Sequence, residues 1–299
     1  MPKILVTGGQ GMLGRDIAQA AAQQGFEVYA PGHGELDVCD AGAMLAQSPG
    51  LTGGWLVHCA AKVDVEGCAR DPDLARAVIV EGTRNAIRLA RAAGARLFYP
   101  QSFLIYDGAT NPIAEAETPR PLSLYGQLKL EAEQLIQAEL DDALIVRMAG
   151  FFGGEAADKN FVGRIIPPMF AALQRGETEF KVGDRVWQPT WTRDLADNSL
   201  ALMTAGKSGI YQMACHGQAS FAELAQEIVL ALGWADRFAI RTVDASLVAQ
   251  SELGRRPDVA VLSCERLRAE QLDLQRDWRS TLHEYLSDPF FDTFRLRDQ

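Results

Sequence analysis

At 299 residues, 47% hydrophobic and 23% charged, the chain can bury a large core and has the balance of an ordinary globular protein. A formal net charge of −10 removes any general electrostatic reason to bind nucleic acid or an anionic membrane. No run approaches the roughly 18 apolar residues of a membrane span, and Lys3 is followed by only a short apolar run before Gly8, so a cytoplasmic protein is expected.

The first half alternates short β-branched runs with amphipathic stretches, the signature of a parallel sheet covered by helices. Strands are expected at Lys3–Thr7, Glu27–Ala30, Trp55–Ala60, Arg96–Gln101 and Ala143–Arg147. Between them, apolar residues recur at helical intervals, as in Leu13, Ile17 and Ala21, in Ala86, Leu89 and Ala90, and in Leu128, Ala132 and Leu135. Past Gly153 the alternation fades, and Gly154–Asn160 reads as an irregular loop leaving the sheet. A helix over Phe161–Gln174, a short run Phe180–Val182, a helix from about Asp194 to Thr204 and a strand Ile210–Ala214 follow. Helices near Phe221–Gly233, Glu265–Gln271 and Trp278–Ser287 close the chain. The expectation is α/β: a doubly wound parallel sheet over residues 1–150 plus about 182–215. A smaller mixed α/β lobe, about 151–181 and 216–299, would cover the carboxyl ends of the strands, where open sheets bind ligands.

Directly after the first strand comes Thr7-Gly8-Gly9-Gln10-Gly11-Met12-Leu13-Gly14, with Gly8, Gly11 and Gly14 in G-x-x-G-x-x-G spacing. Glycines there permit a tight turn and bring backbone amides close to a pyrophosphate at the positive end of the next helix. Spacing alone would fit a structural turn. Its place between the first strand and first helix of an alternating pattern makes it a dinucleotide site, and the sheet Rossmann-type. The second strand ends in Tyr29-Ala30-Pro31-Gly32-His33, with neither the acid that binds a ribose 2′-hydroxyl nor an Arg for a 2′-phosphate. His33 could meet such a phosphate or be a plain surface histidine. The cofactor is therefore NADP or NAD, with NADP the preferred of the two. Asp37, in Leu36-Asp37-Val38, borders the adenine or serves as a helix N-cap.

Ser123-Leu124-Tyr125-Gly126-Gln127-Leu128-Lys129 places a phenol and an ammonium four residues apart on one helix face. Lys129 near the Tyr125 oxygen would make the phenol easier to deprotonate, and a phenol so tuned is a general acid or base. The pair is a weak signal by itself, since the spacing arises by chance.

The glycine turn, Leu36-Asp37-Val38, Cys59-Ala60-Ala61, Ser102, Tyr125 with Lys129, Arg147 and Asn160-Phe161 follow one another in a telling order. So do Gln188-Pro189-Thr190-Trp191, Gly209-Ile210-Tyr211-Gln212, Arg256-Pro257 and Trp278. In this the chain resembles the extended short-chain dehydrogenase/reductases, and among them the dTDP-4-dehydrorhamnose reductase group, over nearly its whole length. The resemblance implies that Tyr125 exchanges a proton with the substrate oxygen, that Lys129 bonds the nicotinamide ribose and lowers the phenol's pKa, and that Ser102 hydrogen-bonds the reacting carbonyl. It places Gly8, Gly11, Met12, Leu13, Gly14, Asp37, Val38, Ala60, Ala61 and Lys62 along the cofactor, and Ser102, Phe103, Gly150 and Asn160 at the substrate. Phe103 stands where these reductases carry Asp, Gly150 where they carry a substrate-facing Trp, and Glu81 where an Asn is usual. The implied reaction is NAD(P)H-dependent reduction of a keto group on a nucleotide sugar or related keto-sugar. An NAD-dependent sugar-nucleotide epimerase uses the same three residues, and a non-catalytic regulatory subunit of the methionine adenosyltransferase beta type is a third reading. Pairing into a homodimer through the Tyr125 helix is a family-level expectation.

The remaining features add little. Cys39, Cys59, Cys68, Cys215 and Cys264 lack Cys-x-x-Cys or Cys/His metal spacing, which fits free thiols and no structural zinc. His58, His216 and His283 stand apart from any nucleophile or ligand pattern. Arg255-Arg256 could grip a diphosphate or lie exposed in a loop, and Phe151, Phe152, Trp187 and Trp191 read as core or as pocket lining.

Overall fold

The computed structural model describes residues 3–249 and 252–296. In chain order its principal elements begin with β1 (Lys3–Thr7), α1 (Met12–Gln23), β2 (Glu27–Tyr29), β3 (Trp55–His58), α2 (Val65–Arg70), α3 (Gly82–Ala93) and β4 (Arg96–Ser102). Next come α4 (Leu124–Glu139), β5 (Leu144–Met148), α5 (Phe161–Gln174), β6 (Glu179–Gly183), β7 (Val186–Trp187) and α6 (Thr192–Thr204). The last are β8 (Gly209–Met213), α7 (Phe221–Ala231), β9 (Ala239–Val243) and α8 (Trp278–Leu286).

Six strands form one sheet in the order β2-β1-β3-β4-β5-β8, every neighbouring pair parallel. Strand order reverses at β1, which has β2 on one side and β3 on the other, and such a reversal opens a crevice at the carboxyl ends. Alternate side chains point to opposite faces of a strand, and two cores follow from that rule. Leu5, Leu56, Leu97 and Ile145 pack with Ala86, Leu89, Leu128 and Ala132 on one face. Ile4, Val6, Val57, Phe98 and Val146 pack with Leu13, Ile17, Leu195 and Leu200 on the other. The sheet is a doubly wound α/β layer, as the alternation in the sequence implies.

A separate apolar core gathers α5, α7 and α8 around Trp187, Trp234 and Trp278, with Phe152, Ile166, Met169, Ile228, Leu282 and Tyr285. The small parallel pair β6 and β9 flanks it. β9 escapes sequence reading because no residue of Ala239–Val243 is fully buried and its apolar residues do not alternate regularly. Several expected boundaries shift by a residue or two. The third strand ends at His58 rather than Ala60, because Cys59–Ala61 leave the ladder to pass beside the glycine turn. The Gly154–Asn160 loop contains one 3₁₀ turn, Glu155–Ala157.

Candidate active site

The glycine turn takes its shape from contacts that leave no room for side chains. Gly8 has a left-handed φ of 68°, and a Cβ there would lie 2.9 Å from the Ala60 nitrogen, while one on Gly14 would collide with the Gly8 carbonyl. The Gly11 amide donates to the Gly8 oxygen at 2.9 Å and closes the turn. α1 then begins at Met12 with no side-chain cap and no acid in its first turn. Its first amides are left for an anion, and the helix dipole favours one. Thr7 fixes the floor: its Oγ1 lies 2.8 Å from His58 Nδ1 and accepts from the Ala60 amide at 3.4 Å. Burial pulls the His58 imidazole down to about 3, with Lys129 adding to the effect, so the ring stays neutral. Val38 is buried and its carbonyl accepts from Asn85 Nδ2 at 2.9 Å, whereas Ala61 and Lys62 are partly exposed beyond β3.

Past the second strand, one of the two readings of Asp37 falls. Asp37 is not a helix N-cap: it takes the Cys39 amide at 2.9 Å, and Asp40 instead caps the next helix through the Gly42 and Ala43 amides. His33 is 85% exposed, with Nδ1 3.9 Å from Asp37 Oδ1. Gly9 and Gln10 went unnoticed in the sequence, yet the Gly9 amide donates to Pro31 O at 3.1 Å and the Gln10 side chain lies on Gly32. Those contacts bind the turn to the end of β2.

Across the crevice, Ser102 is the last residue of β4 and Tyr125 the second of α4, whose N-cap is Ser123. The Ser102 amide donates to Gln101 Oε1 at 2.8 Å and its hydroxyl accepts from the Leu104 amide at 3.2 Å, so the side chain is held by its neighbours. Tyr125 is 7% exposed. The phenol does not show the lowered pKa expected from its spacing to Lys129. Burial pushes it up to about 12, against the opposing effect of the Ser102 hydroxyl. The reason lies in where the ammonium goes: Lys129 Nζ donates to Pro100 O at 2.8 Å and sits 3.8 Å from the centre of the Tyr99 ring. Burial draws Lys129 itself down to about 7, with Cys59 and Glu133 acting the other way. Tyr99 and Pro100 are therefore part of the site, and nothing in the local sequence pattern marks them.

Beneath this trio lies a buried scaffold. Glu133, one turn beyond Lys129, pairs with Arg147 and also accepts from Gln101 Nε2 at 3.0 Å. Arg147 further donates to the Tyr106 hydroxyl at 2.7 Å. Arg147 thus ties α4 to β5 and the loop beyond β4. Glu81 is exposed and lies 3.4 Å from Arg84, a solvated helix charge.

The remaining candidates divide. Phe103, partly exposed, follows Ser102, and Gly150 lies just past β5, the strand that pairs Met148 with Ser102. Asn160 instead faces the glycine turn: its Nδ2 donates to Phe151 O at 2.8 Å and lies 4.0 Å from Met12 Sδ. The same loop places Glu155 against Arg15 of α1 at 2.9 Å. Arg256 is taken by Glu66 of α2 at 2.8 Å, which also accepts the Leu253 and Gly254 amides. His216 and His283 lie against Asp273 and Glu227 at 3.0 and 3.1 Å, and Trp191 and Phe152 are core. Among the described residues, no group of three His, Cys, Asp or Glu could hold a metal, and no helix is long and apolar enough to cross a membrane.

A family model described as the RmlD substrate binding domain matches residues 2–290. The chain belongs to this family. A dTDP-4-dehydrorhamnose reductase of Streptomyces griseus is 34% identical over 291 residues, covering 95% of this chain and 92% of the relative. A dTDP-4-keto-6-deoxy-D-glucose reductase of Streptomyces niveus is 31% identical, covering 93% and 94%. The crystal structure of a dTDP-4-dehydrorhamnose reductase from Clostridium acetobutylicum superposes with a TM-score of 0.86 at 28% identity, over 95% of this chain and 98% of that one. The chain is an NAD(P)-dependent oxidoreductase of the extended short-chain dehydrogenase/reductase type.

Proposed function

We propose that the protein reduces a keto group on a nucleotide-activated sugar, with Tyr125 as proton donor, Ser102 as the hydroxyl that holds the carbonyl oxygen and Lys129 as the cation beneath them. The observation that carries this is the meeting of Ser102, a buried Tyr125 and a buried Lys129 at the carboxyl edge of the sheet, beside an uncapped glycine turn. That turn fits a dinucleotide pyrophosphate, since close backbone contacts keep Gly8 and Gly14 free of side chains and the first amides of α1 are uncapped beside them. A nicotinamide cofactor bound there supplies the hydride. A phenol held at about 12 stays protonated across the neutral range, which suits giving a proton to a ketone oxygen as it turns into an alcohol. The cationic form of Lys129 then stabilises the phenolate left behind, and solvent returns the proton.

The names of the similar reductases favour reduction over epimerisation and over a purely regulatory role. The division of labour we propose is that residues 1–150 with about 182–215 hold the cofactor, and about 151–181 with 216–299 hold the sugar nucleotide. NADP is the preferred cofactor in this reading. Glu35 and Asp37 already accept the Gly32 and Cys39 amides, each at 2.9 Å, and the exposed His33, 3.9 Å from Asp37, is the basic group that would meet a 2′-phosphate. A soluble cytoplasmic enzyme, paired through α4, completes the proposal.

The test is consumption of NADPH and of NADH by purified protein with a panel of 4-keto nucleotide sugars. Turnover of at least one dTDP-linked member, faster with NADPH, is expected. Absence of turnover across the panel, or turnover that needs no reductant, contradicts the reading.

A further inference from the structure

Gly150 and Phe103 sit beside Ser102, and neither offers the polar group that a sugar hydroxyl would need. What fills the space over Gly150 comes from far along the chain. A Cβ built on Gly150 would collide with Cε3 and Cζ3 of Trp187 and lie 3.5 Å from Cε1 of Phe103. Cε3 and Cζ3 of the Trp187 indole therefore occupy the space over Gly150, next to the Phe103 ring, at the corner where β4 and β5 end.

Its placement is enforced from both sides. Val186 donates to Asp258 O at 2.8 Å, the Ala260 amide returns a bond to Val186 O at 3.0 Å, and the Thr190 amide donates to Gly150 O at 3.0 Å. Phe161 and Phe221 meet the indole edge-on, at 6.4 and 5.3 Å between ring centres. The ring is 7% exposed, and its Nε1 is buried with no hydrogen-bond partner among the described residues. A buried N–H without an acceptor is costly, and phenylalanine would avoid that cost while keeping the apolar packing. Tryptophan is explained by its six-membered ring, whose Cε3 and Cζ3 are the atoms lying over Gly150.

We propose that Trp187, admitted by Gly150 and flanked by Phe103, is the specificity-determining wall of the sugar subsite, an apolar surface for the C–H face of a neutral pyranose ring. This rests on the nucleotide-sugar reading above. Sugar rings present C–H groups on one face and hydroxyls at the edge, and pockets of this kind combine aromatic walls with a few oriented polar groups. Here the polar groups are Ser102 and Tyr125, and the wall is delivered by the second core. Trp187 acts on which sugar is held and how it lies, without taking part in proton transfer.

The test compares affinities of dTDP-glucose and of dTDP for the NADP-saturated protein by titration calorimetry. Wild type is expected to bind dTDP-glucose more tightly than dTDP. Trp187→Ala should lose about five- to tenfold of that advantage, in line with a lost stacking contact, while its affinity for dTDP stays unchanged. Gly150→Ala, which drives the indole off its seat, should lose a similar factor, and the Gly150→Ala/Trp187→Ala double variant should be no worse than Trp187→Ala alone. Trp187→Phe, which keeps the contacts to Phe161 and Phe221, guards against a folding failure and should lose part of the advantage. If Trp187→Ala and Trp187→Phe melt earlier but keep the full sugar advantage, Trp187 is core only and the proposal is overturned. A wild type that binds dTDP-glucose no better than dTDP also overturns it and leaves the reductase reading to its own assay. A wild type that binds neither defeats both.

Discussion

Around the sheet, the groups of the site are fixed by backbone. The glycine turn is closed by Gly11 and Gly8, and Lys129 is seated on the Pro100 carbonyl. In the segments that cover the sheet, side chains share that task with backbone bonds: aromatic edges around Trp187, the Arg15 and Glu155 pair, and Glu66 reaching to Arg256. The contrast is one of tolerance. At the glycine turn a Cβ meets backbone, which cannot yield, whereas the side-chain contacts between segments can be exchanged without changing the sheet. In the proposed reading, the proton-transfer chemistry belongs to the first region and the choice of substrate to the second.

The largest expected effect lies in the first region. Glu133→Ala leaves Arg147 buried without its partner, and breaking a buried pair from one side should cost about 3–5 kcal/mol, read by denaturant unfolding. A loss below about 1 kcal/mol would mean the scaffold beneath Lys129 is not what holds α4.

A smaller effect is expected in the covering region. Asp158 accepts the Gly153 amide at 3.3 Å and the Asn160 amide at 2.9 Å, yet burial still raises its carboxyl to about 6. A pKa raised on folding means that the folded state holds the proton more tightly. The stability this adds is complete below the ordinary aspartate range and is lost as pH rises through about 6. Relative to Asp158→Asn, the wild type should therefore gain at most about 2 kcal/mol as pH falls from 7 to 4, followed by thermal melts. Parallel curves for the two proteins would remove Asp158 as a titrating contact.

The smallest effect sharpens the comparison at the site itself. With burial drawing Lys129 to about 7, its charge is lost as pH rises through that value. Its help to the departing phenolate fades with it, so kcat for reduction should decline several-fold on the alkaline side, with a midpoint near 7. A kcat flat from pH 6 to 9 would show that the ammonium is held charged in the working enzyme.

Much of the first region is readable from the sequence because its signals are local. β1, β3, β4 and β5 carry short apolar runs punctuated by turns, and the glycines sit where strand gives way to helix. Ser102, Tyr125 and Lys129 are recognisable by type and order. What escaped depends on residues far apart in the chain. The spacing of Tyr125 and Lys129 says nothing of Pro100, whose carbonyl takes the ammonium, or of Tyr99 beneath it, so the phenol looks tuned downward when it is pushed up. Asp37 and Asp40 are equally good caps by residue type, and only the backbone path decides between them. The meaning of Gly150 is hidden for the same reason, because the ring that requires it arrives 37 positions later.

The central claim is that Tyr125 delivers the proton in a nicotinamide-dependent keto-sugar reduction. Steady-state reduction of a dTDP-4-keto-6-deoxy sugar by NADPH, compared between wild type and Tyr125→Phe alongside NADPH affinity, tests it most directly. The account predicts a fall in kcat of about 10²–10⁴-fold with NADPH binding unchanged. A variant that keeps wild-type kcat would contradict it.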